Sequence, residues 1–193
     1  MDVGRRVHPR LPVRVGSLRR QRFHVNVAGM ASHESYRQNK HEFRRFVEAV
    51  AHDTKDPTLS YFLVPAQWDV VAEYVHRSDL AQGQVLITQG AKDRTLYLVE
   101  SGNLTVHFED SAGYIRQAIV GAGTAVGEGS FFSHLPRSAT VQAATPCRVW
   151  SLSPMRFSEM SNRQPGVALA LALALGAVVS RRMLDSRKRN AVT

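Results

Sequence analysis

Short apolar segments separated by glycine-bearing turns fill the middle of this 193-residue chain. From Leu80 onward the turns recur at intervals of about ten residues, which is typical of a β-sandwich or barrel. The pattern predicts strands near residues 84–88, 95–101, 103–108, 114–120, 139–144 and 147–152. Because glycine permits positive φ, Ser101-Gly102 and Ala112-Gly113 are predicted to be hairpin turns.

Helical periodicity flanks the predicted strands on both sides. In the polar segment 30–57, apolar residues lie at i, i+3, i+4 and i+7, the spacing of one helix face; they are Phe43, Phe46, Val47 and Val50. Pro65 suits the first turn of a second helix over 65–75, and a short helix is predicted over 155–161. The chain is therefore predicted to be mainly β with flanking helices.

The C-terminal segment 166–189 is predicted to form one long helix. From Val167 to Leu175 it alternates between alanine and a larger apolar residue, which superficially resembles a strand. Alanine is the best helix former and is depleted in strands, so a helix is favoured. The apolar run 166–179 is shorter than the roughly 18 residues of a membrane span, which predicts a cytoplasmic protein without membrane contact.

An apolar helix of this kind needs cover on all sides. The β region can cover one side, and we expect a second copy of the chain to cover the other. The sequence thus predicts a homodimer through this helix, with Leu171 and Leu175 on the paired face at i and i+4.

Most of the net charge of +9 belongs to residues 1–29. This segment holds seven arginines and one acid, Asp2, so the rest of the chain carries only +3. It has no apolar core of a secretory signal peptide. An Arg-rich, acid-poor segment is typical of a transit peptide or a nucleic-acid arm, but we predict a disordered extension that lies outside the folded domain.

The segment 121–141 combines glycines with a few polar side chains of complementary chemistry. Glycines precede a short predicted helix whose first N–H groups can meet an anion. Glu128 can accept hydrogen bonds from sugar hydroxyl groups, and nine residues later Arg137 offers a guanidinium group that fits a phosphate. Together these groups predict a site for a sugar phosphate with one negative charge.

This segment resembles the phosphate-binding cassette of cyclic-nucleotide-binding domains. Gly127-Glu128 is followed at the family's spacing by Pro136-Arg137-Ser138-Ala139-Thr140, and the resemblance extends over about residues 58–190. Upstream positions agree as well: Gly83, Gln89-Gly90, Leu96-Tyr97, Gly102 and Val106. The resemblance implies a β-roll or jelly roll (a double-stranded β-helix), with N-terminal helices, a short cassette helix and a long C-terminal helix.

The resemblance also implies roles for individual residues. Glu128 would bind the ribose 2′-hydroxyl group and Arg137 the cyclic phosphate, assisted by Ser138 and by the N–H groups of Gly129 and Ser130. The full predicted ligand set is Gly127, Glu128, Gly129, Ser130, Arg137, Ser138 and Thr140. Cyclic AMP is expected ahead of cyclic GMP. Where the family has small or aliphatic residues after the glutamate, this chain has Gly129-Ser130-Phe131-Phe132, which bears on the choice of nucleotide.

The predicted function is that of a regulatory module, which signals through helix rearrangement to an unknown protein partner. Three other functions are possible for a chain of this kind. A cupin-type enzyme would need a His-x-His pair, which none of the eight histidines forms, so no enzyme activity, metal or cofactor is predicted. A transcription factor would need helices beyond the long helix, but the sequence ends at Thr193, so no direct reading of DNA is expected. A degenerate module kept only for dimer contacts would differ in one observation, because a cyclic nucleotide would not raise its melting temperature. For Glu128 and Arg137 themselves, the alternative to ligand binding is a structural ion pair with each other.

Overall fold

Two antiparallel sheets and six helices make up the residues that the computed structural model describes, 33–53, 58–109 and 115–190. The helices are α1 (His33–His52), α2 (Thr58–Phe62), α3 (Pro65–Val71), α4 (Glu128–Ser133), α5 (Pro154–Arg163) and α6 (Pro165–Asn190). The strands are β1 (His76–Leu80), β2 (Val85–Ile87), β3 (Leu96–Ser101), β4 (Leu104–Glu109), β5 (Ile115–Val120), β6 (Ala125–Val126), β7 (Thr140–Ala143) and β8 (Cys147–Leu152). The predicted extension 1–29 lies outside the described residues.

The two sheets face each other with four strands each, in the orders β1-β8-β3-β6 and β2-β7-β4-β5. Val99, Val149 and Leu104 are fully buried in the core between them. The first sheet is buried on its other face too, because Leu98 and Trp150 pack against the helices. Burial on both faces explains why β3 and β8 have near-continuous apolar sequences. The predicted β-roll with flanking helices is confirmed.

The turn at Ser101-Gly102 differs from its prediction as a hairpin. It leads from β3 in one sheet to β4 in the other, so the two strands are not paired. Gly102 has φ 85°, and a Cβ atom there would lie 2.4 Å from the Pro146 carbonyl oxygen. Glycine is therefore required for a close approach of two chain segments at a change of sheet. The turn at Ala112-Gly113 lies outside the described residues.

Three short elements were missing from the sequence prediction. Strand β1 pairs with β8 along its whole length, but its sequence HRSDL is polar and mostly exposed, so it shows no apolar alternation. Strand β6 has two residues and α2 has five, too few for either periodicity to be visible. Such elements are specified by their partners in the tertiary structure.

Helix α6 confirms that the alternating segment is helical. The face that was predicted to meet a second copy of the chain, however, is buried in the domain. Leu171 and Leu175 are fully buried against the rest of the domain, together with Ala174. The exposed apolar side chains of this segment are Leu169 and Leu173, at 61% and 53% exposure. Leu171 and Leu175 therefore belong to the core of one chain, and the prediction that they form the paired face was wrong.

The apolar part of α6 is also longer than the run 166–179, so the prediction that it is too short to span a membrane was wrong. Within the described residues, Pro165–Asp185 is long and apolar enough to cross a membrane, with a mean hydropathy of 1.8 over its most apolar window. A third of that window is buried inside the domain. The helix packs against α2 and α5 and contributes Leu171, Leu175 and Val178 to the core, as a structural helix of a globular domain does.

Candidate functional site

A cavity of about 130 Å³ lies between the second sheet, the cassette helix α4 and the C-terminal part of α6. Ile87, Val106 and Val141 form an apolar wall on the sheet side. Six of the seven predicted ligand residues line it: Gly127, Glu128, Gly129, Ser130, Arg137 and Ser138. The structure thus gathers residues from a turn, a short helix and the loop before β7 around one space.

Gly127 shapes the entrance to α4. It has φ 87° in the left-handed region, and a Cβ atom there would lie 2.5 Å from Arg137 Nη1 and 2.9 Å from the Thr95 carbonyl oxygen. Only glycine fits this position without displacing the arginine. The turn brings Glu128, Gly129 and Ser130 to the cavity wall, and as the first residues of α4 they have main-chain N–H groups without a partner inside the helix.

Arg137 is 3% exposed, and its side chain is held by five hydrogen bonds. Its Nε atom donates to Asp93 Oδ2 at 3.1 Å and its Nη2 atom to Asp93 Oδ1, so the two side chains form a bidentate pair. Nη2 also donates to the Thr95 carbonyl oxygen at 2.6 Å. Nη1 donates to the Gly127 carbonyl oxygen at 3.2 Å and to Ser130 Oγ at 2.8 Å. The guanidinium group is therefore fixed in one orientation at the cavity wall.

The pairing changes the chemistry of Asp93. Hydrogen bonds from Arg137 lower the pKa of the Asp93 carboxyl group, with its charge and the Thr95 N–H acting in the same direction against partial burial. The carboxylate thus stays ionised near neutral pH and compensates the buried guanidinium charge. Tyr97 lies on another side of Arg137, with its ring centroid 6.0 Å from the guanidinium carbon, and burial raises the pKa of its phenol group.

Glu128 is not paired with Arg137 but with an arginine of α6. Arg182 Nη1 donates to Glu128 Oε1 at 2.5 Å, and its Nη2 atom donates to the Ala125 carbonyl oxygen at 2.8 Å. Arg182 also lines the cavity. The two charged residues that the sequence singled out therefore have separate partners, and the alternative of a Glu128–Arg137 ion pair is not what the structure has.

Thr140 is the one predicted ligand residue that the structure separates from the others. It is adjacent to Val141 in β7, and neighbouring residues of a strand point to opposite faces. Val141 lines the cavity, while the Thr140 hydroxyl group accepts a hydrogen bond from the Gln89 N–H at 3.1 Å. Thr140 thus ties β7 to the turn after β2 on the other side of the sheet.

Sequence reasoning missed Asp93 as the partner of Arg137 and Arg182 as the partner of Glu128. Asp93 lies 44 residues before Arg137, and Arg182 lies 54 residues after Glu128, so no local spacing links either pair. The available signal was chemical: a buried arginine requires an acceptor of opposite charge. That rule predicts that a partner exists but does not say which acid it is.

A model of the cyclic nucleotide-binding domain matches residues 77–164, which confirms the resemblance drawn from the sequence. The chain is 31% identical over 124 residues to the cAMP-activated global transcriptional regulator CRP of Salmonella typhimurium, covering 61% of this chain and 52% of that protein. It is 36% identical over 78 residues to the cAMP-dependent protein kinase regulatory subunit of Yarrowia lipolytica, which covers 40% of this chain and 20% of that protein. The chain thus spans about half the length of the first relative and a fifth of the second.

Solved structures with the same fold include a cyclic nucleotide-binding domain from Methylobacillus flagellatus and the Catabolite Activator Protein of Thermus thermophilus. The first has a TM-score of 0.68 at 22% identity and covers 78% of this chain and 83% of its own. The second has a TM-score of 0.60 at 28% identity, and the match covers 70% of this chain and 62% of that structure's chain. Both likenesses support the β-roll architecture and the long C-terminal helix.

Proposed function

We propose that this chain, whose residues 77–164 match the model of a cyclic nucleotide-binding domain, is a regulatory module that binds a 3′,5′-cyclic mononucleotide at the Arg137 cavity. The observation that carries the proposal is that Arg137, Glu128 and the next two residues of α4, Gly129 and Ser130, line one cavity. A cyclic phosphate carries one negative charge and lies next to a free ribose hydroxyl group. Donors for the phosphate and a carboxylate for the hydroxyl group are what such a ligand requires.

The size of the cavity indicates how the nucleotide would lie. Ligand sites usually enclose roughly 300–1,000 Å³, more than the 130 Å³ found at Arg137. The cavity therefore suits the phosphate and sugar, and the base would lie toward Arg182 and α6. We favour cyclic AMP over cyclic GMP because the names of both relatives refer to cAMP. The ligand set proposed is Gly127, Glu128, Gly129, Ser130, Arg137 and Ser138, without Thr140.

Helix α6 is the proposed route for a signal. Arg182 joins this helix to Glu128, the residue assigned to the ribose hydroxyl group. A hydroxyl group that donates to Glu128 competes with Arg182 for the carboxylate, so binding changes the contact that holds the C-terminal part of α6. The readout would be a helix rearrangement, passed to a protein partner.

The exposed row on α6 suits a second copy of the chain. Leu169, Leu173, Gly176 and Leu184 share one face, and a Cβ atom at Gly176 would meet no other atom within 4 Å. A small residue between leucines allows two such helices to approach closely. Burying the leucine row would contribute about 25 cal/mol for each Å² removed from water, offset in part by the entropy of association. We therefore assign the homodimer contact to this row.

A degenerate domain without ligand is the second candidate. The observation that favours it is that all five hydrogen bonds of the Arg137 guanidinium group are made to the protein itself. In either case the module would act by binding rather than catalysis, in the cytoplasm. Whether the cavity takes up a nucleotide is the point on which the two candidates differ.

Calorimetric titration with cyclic AMP separates the two candidates. We expect saturable binding of cyclic AMP and much weaker binding of linear 5′-AMP, whose phosphate carries more charge and lacks the ring. For 2′-deoxy cyclic AMP, the wild type should lose about tenfold in affinity because a hydrogen bond to a charged group is absent. Glu128→Ala should bind both cyclic ligands equally. No heat and no thermal shift at millimolar cyclic AMP would favour the degenerate domain.

A further inference from the structure

The hydroxyl group of Ser130 occupies one donor of Arg137 at the cavity. Ser130 is 7% exposed, and its Oγ atom accepts from Arg137 Nη1 at 2.8 Å. The acceptors of Nε and Nη2, on Asp93 and Thr95, do not line the cavity. Both acceptors of Nη1, on Gly127 and Ser130, do line it. Nη1 is therefore the part of the guanidinium group that is turned toward the cavity.

Of the two acceptors of Nη1, only the serine hydroxyl group can be exchanged without moving the main chain. The Gly127 carbonyl oxygen also accepts from the Phe131 N–H at 3.2 Å, so it is part of the first turn of α4. Ser130 Oγ sits on a side chain with one rotatable bond, and its own donor contact to the Gly127 carbonyl oxygen is long, at 3.4 Å. An anion that binds Nη1 must take the place of this hydroxyl group.

We propose that Ser130 is an internal substitute for the phosphate and sets the affinity of the site by competing for Arg137. The inference rests on the proposed function, because the competing group is the phosphate of the bound nucleotide. The hydroxyl group has two opposite effects. It stabilises the buried guanidinium group when no nucleotide is bound, and it raises the free energy that binding must supply.

The test compares Ser130→Ala with the wild type in the full chain, using cyclic AMP as the ligand in calorimetric titration and measuring Tm without nucleotide. Ser133→Ala is the matched control, since Ser133 lies on the same helix and its hydroxyl group accepts from the Leu135 N–H outside the cavity. Ser130→Ala should lower Tm, because Nη1 loses an acceptor. It should also bind cyclic AMP about tenfold more tightly, which corresponds to about 1.4 kcal/mol. Ser133→Ala should leave the affinity unchanged.

The two proposals fail in different ways. If the wild type binds cyclic AMP and Ser130→Ala binds it equally or less tightly, the competing role of Ser130 is wrong while the proposed function stands. Binding by Ser130→Ala alone supports the competing role and counts against nucleotide binding by the natural chain. If neither protein binds, both proposals are wrong.

Discussion

At the scale of single residues, the site depends on how one buried charge is accommodated. Burying an arginine is costly unless its charge and its donors have partners, and here Asp93 supplies the charge while main-chain oxygens and Ser130 complete the hydrogen bonds. Gly127 is needed because any Cβ atom would collide with Nη1. Replacing Arg137 would therefore affect stability as well as binding, and loss of binding in Arg137→Ala alone would not prove a contact with the ligand.

The Asp93–Arg137 pair predicts a defined dependence of stability on pH. The pKa of Asp93 is lowered in the folded protein, so its contribution is fully present above the ordinary pKa of about 3.9 and is lost as the pH falls through the folded value. Because the carboxylate is half exposed, the contribution is at most about 1 kcal/mol, or about 2–4 °C in Tm for a chain of this size.

Thermal unfolding of Asp93→Asn and the wild type from pH 7 to pH 2.5 measures this contribution. We expect the wild type to have a higher Tm than Asp93→Asn from pH 7 down to about pH 5. This difference in Tm should disappear below about pH 4. Asp185→Asn, at an exposed position of α6, controls for the loss of one carboxylate. A difference in Tm that stays constant down to the lowest pH would contradict the assignment of the lowered pKa to Asp93.

At the scale of elements, α6 has one face in the core, one exposed row of leucines and one arginine at the cavity. We predict that cyclic AMP changes hydrogen exchange of main-chain amides in 179–185 in the wild type. Arg182→Ala should still bind the nucleotide but lose this change, because the link from Glu128 to the helix is gone. Arg181→Ala, an exposed neighbour outside the cavity wall, should keep it. An unaltered exchange response in Arg182→Ala would contradict the proposed signal route.

The exposed row of α6 gives a separate prediction about assembly. The double variant Leu169→Glu/Leu173→Glu should remain folded, since both side chains are more than half exposed, and should be monomeric by light scattering at tens of micromolar. Met155→Glu, at a 75% exposed apolar position of α5, should leave the oligomeric state unchanged. A wild-type protein that is itself monomeric under these conditions would rule out the proposed homodimer.

At the scale of the whole molecule, the elements that could be predicted from the sequence are those whose buried side chains recur with the period of a helix or a strand. Phe43, Phe46 and Val50 mark a helix that is buried on one side, and β4 (LTVHFE) and β7 (TVQA) alternate between apolar and polar residues. Strand β1 was hidden because its five residues are held by pairing with β8 rather than by apolar side chains. The buried face of α6 was predicted wrongly because this helix is apolar on every side. The sequence therefore does not distinguish the leucines that contact the core from those that are exposed.

The site was predictable to the extent that it is local. Gly127, Glu128 and Ser130 are consecutive or nearly so, and they reach the cavity on one turn and one short helix. The partners Asp93 and Arg182 come from distant parts of the chain, and they decide the charge balance of the cavity. Only the folded structure shows that Arg137 and Glu128 are held apart by different partners.

The central claim is that the Arg137 cavity holds the phosphate and sugar of a cyclic nucleotide. A crystal structure of the chain with cyclic AMP tests it most directly. We predict a phosphate oxygen within hydrogen-bond distance of Arg137 Nη1 and of the N–H groups of Gly129 or Ser130, and the ribose 2′-hydroxyl group donating to Glu128. Electron density for the nucleotide elsewhere on the protein, or none in the cavity at saturating concentration, would contradict the account.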